Sequence, residues 1–320
     1  MYFDLDQDFM DDATNNLRYV LITPCRNESR FIEETLKSVV AQTILPLRWV
    51  IVNDGSTDAT ADIVAKYAAE HSWIEVVNRP VRKDRNFAAK VHAFNEGLKR
   101  VQDLEFDLIG NLDGDISFGP DHFEFLISKF IENPSLGVAG TAYTQDGGWD
   151  STRDSFEGEN SVHGACQLFN YRCFQDIGGY CPNRLGGIDW IAVTTARMKG
   201  WETRNYPDRR FHHPRLMGTA EKGALGAAYD YGKKDYFLGG SLLWELFRVA
   251  YRMTKTPVFF GGIALLFGYC AGAVRRVERP VSPDLIRFHR SEQMKKLRLI
   301  LGSLIKTRRV QTYLPSHPVK

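Results

Sequence analysis

Three acidic clusters carry most of the chemistry this sequence offers: Asn53-Asp54-Gly55-Ser56-Thr57-Asp58, Asp113-Gly114-Asp115 and Gly186-Gly187-Ile188-Asp189. Carboxylates two residues apart, as Asp113 and Asp115 are, repel one another unless a cation or solvent compensates. A hard divalent ion, Mg2+ or Mn2+, takes a few carboxylate oxygens and completes its shell with phosphate. Such an ion would join the protein to a diphosphate and neutralise its charge on departure. The plain alternative is a solvated Asp-rich turn. Asp54 is placed to accept a hydrogen bond from a nucleotide base, although Asp-Gly is a frequent turn pair and Asp58 a good helix cap. Asp189 opens an apolar-periodic segment, where it serves as an N-cap or as a general base for an incoming hydroxyl. His212 and His213 are neighbours on a strand-like run, so at most one of them reaches a metal.

The elements that must position these residues alternate. Strands are expected at 19–23, 47–52, 74–77 and 106–112, and helices at 30–41, 58–70 and 86–101. This order predicts an α/β fold, a mostly parallel sheet with helices on both faces. Ligands of such sheets bind beyond the carboxyl ends of the strands. Asp54 follows the second strand and the Asp113–Asp115 pair the fourth, so topology alone marks a site there. Beyond residue 135 the pattern is irregular, with helical segments expected near 165–177 and 189–199 and short strands near 203–206 and 209–213.

In their order and spacing the motifs resemble the inverting family 2 glycosyltransferases of GT-A fold. The likeness runs from Tyr19 to His213 through Thr23-Pro24-Cys25-Arg26-Asn27-Glu28, the Asp54 turn, Ala89-Lys90-Val91-His92-Ala93-Phe94-Asn95-Glu96-Gly97 and Asn111-Leu112-Asp113-Gly114-Asp115. Gly178-Gly179-Tyr180, Gly187-Ile188-Asp189, Arg197 and Gly200-Trp201 complete it. The resemblance implies that Thr23, Pro24 and Glu28 border the base pocket, that Asp54 contacts the nucleobase and that Lys90 approaches the nucleotide. It makes Asp113 and Asp115 the DxD motif, with Asp113 beside ribose and metal and Asp115 the firmer metal ligand. It makes Asp189 the catalytic base, and His213 or His212 a third metal ligand. Ile188 departs from the usual acid before the base. The Gln-x-x-Arg-Trp motif of processive synthases is absent, which favours addition of a single sugar. A polyprenyl-phosphate acceptor, already an anion, would need no base.

Composition sets the context. The 320 residues are 43% hydrophobic and 25% charged, ordinary globular material. A net charge of +2 hides an asymmetry, because the stretch from Arg248 onward holds 15 basic and 3 acidic residues against 26 and 36 in the rest. A basic segment on an acidic body reports an anionic partner. Nucleic acid is not expected, for no recognisable module is present. A membrane surface is. Val258–Val274 is an uncharged run of 17 residues, borderline between a short span, a re-entrant hairpin and a buried helix. Residues 236–253 read as an interfacial helix and 284–309 as a basic amphipathic one. The division expected is a catalytic domain over 1–235 and a membrane-associated helical region over 236–320. Five cysteines without metal or redox spacing, and an acidic N-terminus without an apolar core, place the chain on the cytoplasmic side of a membrane. The partners implied are a nucleotide-sugar donor, with UDP favoured, and a lipid-linked or glycan acceptor.

Overall fold

The computed structural model describes residues 17–81, 87–154, 158–215, 223–255 and 257–305. Among them the strands are β1 (Tyr19–Cys25), β2 (Arg48–Asn53), β3 (Ile74–Asn78), β4 (Leu108–Leu112), β5 (Ser117–Phe118), β6 (Leu136–Gln145), β7 (Trp149–Asp150), β8 (Cys166–Asn170) and β9 (Glu202–His213). The helices of the body are α1 (Ile32–Val40), α2 (Thr60–Glu70), α3 (Phe87–Lys99), α4 (His122–Glu132), α5 (Ser151–Asp154), α6 (Tyr171–Asp176) and α7 (Ile188–Met198). Then follow α8 (Gly223–Phe237), α9 (Leu242–Met253), α10 (Phe260–Val274) and α11 (Pro283–Ile305).

One sheet of order β3-β2-β1-β4-β8-β6-β9-β5 organises the body, with β7 on β6. β1 pairs in parallel with β2 and β4, and β2 with β3. β8 is antiparallel between β4 and β6, while β6 and β9 run parallel. Alternate residues of the central strands feed separate cores on the two faces: Tyr19, Leu21, Trp49 and Ile51 on one, Val20, Ile22, Val50 and Val52 on the other. That double burial is why β1 and β2 read as unbroken apolar runs.

The expected first half is present with ends shifted by one or two residues. Residues 166–170, expected to be helical, form β8 instead, and only 171–176 are helix. Cys-Gln-Leu-Phe is fully buried between β4 and β6, and a short buried run has no periodicity to tell strand from helix. The two short strands expected near 203–206 and 209–213 are the single strand β9. Its pairing with β6 slips between Thr141 and Ala142, opposite the segment holding Pro207, which has no amide to donate. All five cysteines are free.

The C-terminal helices pack on the body and on one another. The expected boundary at 235/236 falls inside α8. A Cβ at Gly232 would lie 1.8 Å from the Leu265 carbonyl oxygen, and one at Gly268 1.9 Å from that of Tyr229. The glycines of the apolar run are thus a seam holding α10 against α8. The opposite face of α10 leaves Phe260, Ile263, Phe267 and Val274 exposed. No described helix is long and apolar enough to cross a membrane. α11 anchors to α7 through a two-pronged ion pair between Arg197 and Glu292, at 2.9 and 3.1 Å. Trp244 of α9 buries with Leu297 and Ile300 of α11. Residues 306–309 of the expected basic helix lie outside the described residues.

Candidate active site

Thr23, Pro24, Glu28, Asp54, Asp113 and Asp115 gather at the carboxyl ends of β1, β2 and β4, and all but Pro24 have a side-chain partner. The Thr23 hydroxyl is fully buried and accepts the Trp49 indole N–H at 2.9 Å, so it serves packing. Asp54 is buried and its Oδ1 accepts from Arg79 Nη1 at 2.6 Å. Asp113 is paired with Lys90 of α3. Its backbone N–H donates to Ala165 O at 2.8 Å, and Asn111 Nδ2 donates to Gly164 O at 2.7 Å, stapling the 163–165 loop to β4.

Asp115 is buried beside two cationic or basic groups. Its Oδ2 lies 3.2 Å from Arg215 Nη1 and 3.5 Å from His213 Nε2. Burial first, then the nearby Asp113 charge, raises its pKa against the pull of His213, Arg215 and Lys90. Arg215 also pairs with Glu28 and stacks over Phe31 at 4.8 Å. Burial and the Asp115 charge push the Glu28 carboxyl up to about 7, even with Arg215 pulling it down. His213 and His212 separate as strand alternation requires. His212 lies 3.1 Å from both Thr144 Oγ1 and Asp146 Oδ1, turned away from Asp115.

The donor set suits a divalent cation. The Arg215 carbonyl, 2.9 Å from His213 Nδ1, can only accept, so Nδ1 carries the proton. In the neutral ring the Nε2 lone pair then faces the Asp115 carboxylate, and two electron pairs opposed across 3.5 Å favour a cation between them. Among the described residues no ready group of three or more His, Cys, Asp or Glu ligands is formed. Further ligands would have to come from elsewhere, such as phosphate oxygens.

Asp189 stands in the first turn of α7, half-buried, and shares one cavity of about 1210 Å3 with Lys90 and Asp113. Burial opposes its ionisation, but Lys234, His163, the Trp190 amide and Lys90 together outweigh it and hold its pKa below the ordinary value. The carboxylate rests on Gly164: a Cβ there would meet Asp189 Oδ2 at 2.8 Å, so any other residue would displace it. Ile188, where the resemblance anticipates an acid, is buried in the sheet core with Phe94, Tyr180 and Val193. Tyr143, stacked on Phe211 at 5.3 Å and tilted against His163 at 4.3 Å and Trp149 at 4.9 Å, makes an aromatic wall of the same cavity.

Arg79, Arg215, Lys234, His163 and Tyr143 were not singled out by sequence. Arg79 and Arg215 carry a usable signal, since Arg79 directly follows β3 and Arg215 stands two residues beyond β9. Lys234 carries none, because the packing of α8 alone brings it to the Asp189 rim.

This fold has counterparts among known proteins. The chain matches the family described as Glycosyl transferase family 2 over residues 20–186, and it belongs to that family. A curated relative, the poly-beta-1,6-N-acetyl-D-glucosamine synthase of Staphylococcus epidermidis, is 32% identical over 114 residues, 36% of this chain and 26% of the relative. The match thus spans about a quarter of that relative's length. The mannosyltransferase PcManGT of Pyrobaculum calidifontis, solved with GDP-Man and Mn2+, superposes with a TM-score of 0.53 at 17% identity, covering 94% of this chain and 84% of that one. S. aureus TarS 1-349 with UDP-GlcNAc gives 0.52 at 13% identity, covering 92% and 93%. These likenesses show a GT-A-like α/β fold.

Proposed function

We propose that this chain is an inverting transferase that moves one sugar from a nucleotide-sugar donor to a hydroxyl of a lipid-linked or membrane-proximal saccharide. The observation that carries this reading is Asp189, kept ionised in the cavity it shares with Asp113 and Lys90. The nucleotide would lie over β1, β2 and β4, its base near Asp54 and Thr23 and its diphosphate toward Lys90 and Asp115. UDP is favoured, because TarS is solved with UDP-GlcNAc and the curated relatives are N-acetylglucosamine polymer synthases. GDP is the next candidate, from the GDP-Man complex of PcManGT.

Asp189 takes the proton of the acceptor hydroxyl as its oxygen attacks the anomeric carbon. The bond from that carbon to the diphosphate breaks, the nucleoside diphosphate leaves with the electron pair, and the configuration inverts. Asp115 and His213 would hold a Mg2+ or Mn2+ ion, with Asp113 adjoining it, and when bound the ion neutralises charge on the diphosphate. Lys90 supports the same charge from α3. The aromatic wall at Tyr143 and Trp149 offers a stacking surface for a sugar ring.

A membrane surface as the working place is supported by α10. Phe259, Phe260 and Phe267 are each about two-thirds exposed, at 65, 66 and 66%, at the start and middle of α10, with Arg252 and Lys255 ahead of it and Arg275 and Arg276 at its other end. Such a face inserts shallowly into an anionic leaflet rather than spanning it. Phosphatidylglycerol vesicles should float with the wild type and not with Phe260→Asp/Phe267→Asp; equal flotation refutes this face. For the transferase itself, a calorimetric screen of UDP, GDP and dTDP sugars with Mn2+, on wild type and Asp189→Asn, is decisive. Binding of one donor class by both proteins is expected, and no binding by either overturns the reading.

A further inference from the structure

Gln145 ends β6 with its backbone paired on both sides, to Trp149 of β7 and to His213 of β9. Residues paired across neighbouring strands stand on one face of a sheet, about 4.8 Å apart. Contacts between these strands confirm the faces. Tyr143 stacks on Phe211, its partner in register, and tilts against Trp149 at 4.9 Å. Thr144 and His212 meet on the opposite face, at 3.1 Å. Trp149, Gln145 and His213 therefore form one row on the face that carries Tyr143. The aromatic wall of the cavity is at one end of that row, and at the other His213 lies 3.5 Å from Asp115.

In the middle of this row Gln145 is only 7% exposed, and its Nε2 has no hydrogen-bond partner among the described residues. An amide nitrogen only donates, so the partner it lacks is an oxygen. A buried donor left unpaired costs about 1–3 kcal/mol, and an apolar side chain of like volume would fill the space without that cost. Packing alone therefore gives no reason for a glutamine here. We propose that Gln145 is a specificity-determining residue of the donor site, its amide donating to an oxygen of the donor sugar. The ring would lie on Tyr143 and Trp149 and the diphosphate at Asp115, so the row sets Gln145 against the anomeric end of the sugar. The acceptors which that end offers are the ring oxygen and the hydroxyl or acetamido oxygen at C2. This rests on the transferase reading above and adds to it a residue that senses the sugar rather than the nucleotide.

The test is calorimetry on the full chain with Mn2+, pairing each sugar nucleotide with its own diphosphate: UDP-GlcNAc with UDP, GDP-mannose with GDP, dTDP-glucose with dTDP. For the pair that the wild type binds, Gln145→Met is expected to weaken the sugar nucleotide by about three- to tenfold, the worth of one net hydrogen bond. The bare diphosphate should keep its wild-type affinity. Without nucleotide, Gln145→Met should melt at the wild-type temperature or above it, because the unpaired donor is gone. Equal weakening of sugar nucleotide and diphosphate would assign the amide to the phosphates and overturn the proposal. So would an unchanged affinity for the sugar nucleotide. A ligand-free Gln145→Met that melts well below the wild type would also overturn it, by showing that the amide holds the fold. A wild type that binds none of the pairs refutes the transferase, and this role of Gln145 with it.

Discussion

The rim at the strand ends, proposed as the donor rim, and the rim at Asp189, proposed as the base rim, hold their carboxylates by different means. On the donor rim each acid has a directly paired cation, Lys90 for Asp113, Arg79 for Asp54, and Arg215 shared by Asp115 and Glu28. The acids come from segments that follow strands, and on the proposed reading the cations stand where a metal and substrate would bring positive charge. On the base rim Asp189 has no such direct partner among the described residues; its ionisation is set by a field from Lys234, His163 and Lys90, and its position by the bare surface of Gly164. On the proposed reading the first rim would bind because its charges are compensated, and the second would react because one carboxylate is charged, half-buried and open to the cavity.

That contrast breaks first at Asp189. Asp189→Asn should lower turnover by about 10²–10⁴-fold, the usual contribution of a general base, and leave donor affinity at its wild-type value by calorimetry. An equal loss in binding would make Asp189 part of the donor rim. The next largest effect is on the scaffold that brings Lys234 and α11 to the base rim. Gly268→Val forces a side chain into a main-chain carbonyl, and overpacking of that kind costs about 3 kcal/mol or more when backbone must move. Urea unfolding should shift accordingly, while UDP affinity is retained. Loss of UDP affinity as well would show the two rims to be one cooperative unit.

Arg215 sharpens the donor side. If its guanidinium stands in for a divalent ion at Asp115, then Arg215→Ala removes a competitor, and Mn2+ should bind about tenfold or more tightly by the worth of one charge-assisted hydrogen bond. Electron paramagnetic resonance of free Mn2+ measures this directly, and an unchanged affinity rejects the stand-in.

The same contrast explains what the sequence disclosed. Asp54, Asp113 and Asp115 were legible because each ends an apolar strand, and a parallel sheet places every such residue at one edge. His213 over His212 was half legible, since alternation says only that one of them faces the site. β8 was not, because a run buried on both faces shows no period. Nor were Lys234 and the α11 lining of the cavity, which depend on the Gly232–Gly268 seam and the Arg197–Glu292 pair between segments far apart in sequence. The Gly-rich run suggested close helix packing and lipid at once; one face of α10 does the first, and its opposite face is free for the second.

The smallest expected effect concerns the charge that ties α8 to α9. Glu245 is almost wholly buried; burial, and then the Asp235 charge, pushes its carboxyl up to about 8, while Arg248 pulls the other way. In its protonated form Glu245 donates to Asp235, which leaves one negative charge for the single arginine. A carboxyl whose folded pKa is raised favours folding fully below its ordinary value of 4.5, and that contribution is lost as pH rises through about 8. The melting temperature of the wild type should therefore fall between pH 6 and pH 9. Glu245→Gln keeps a donor for Asp235 without the titration, so its melting temperature should change less over the same interval. Equal slopes in the two proteins would mean that the pair is ionised throughout, and that α8 and α9 are held by packing alone.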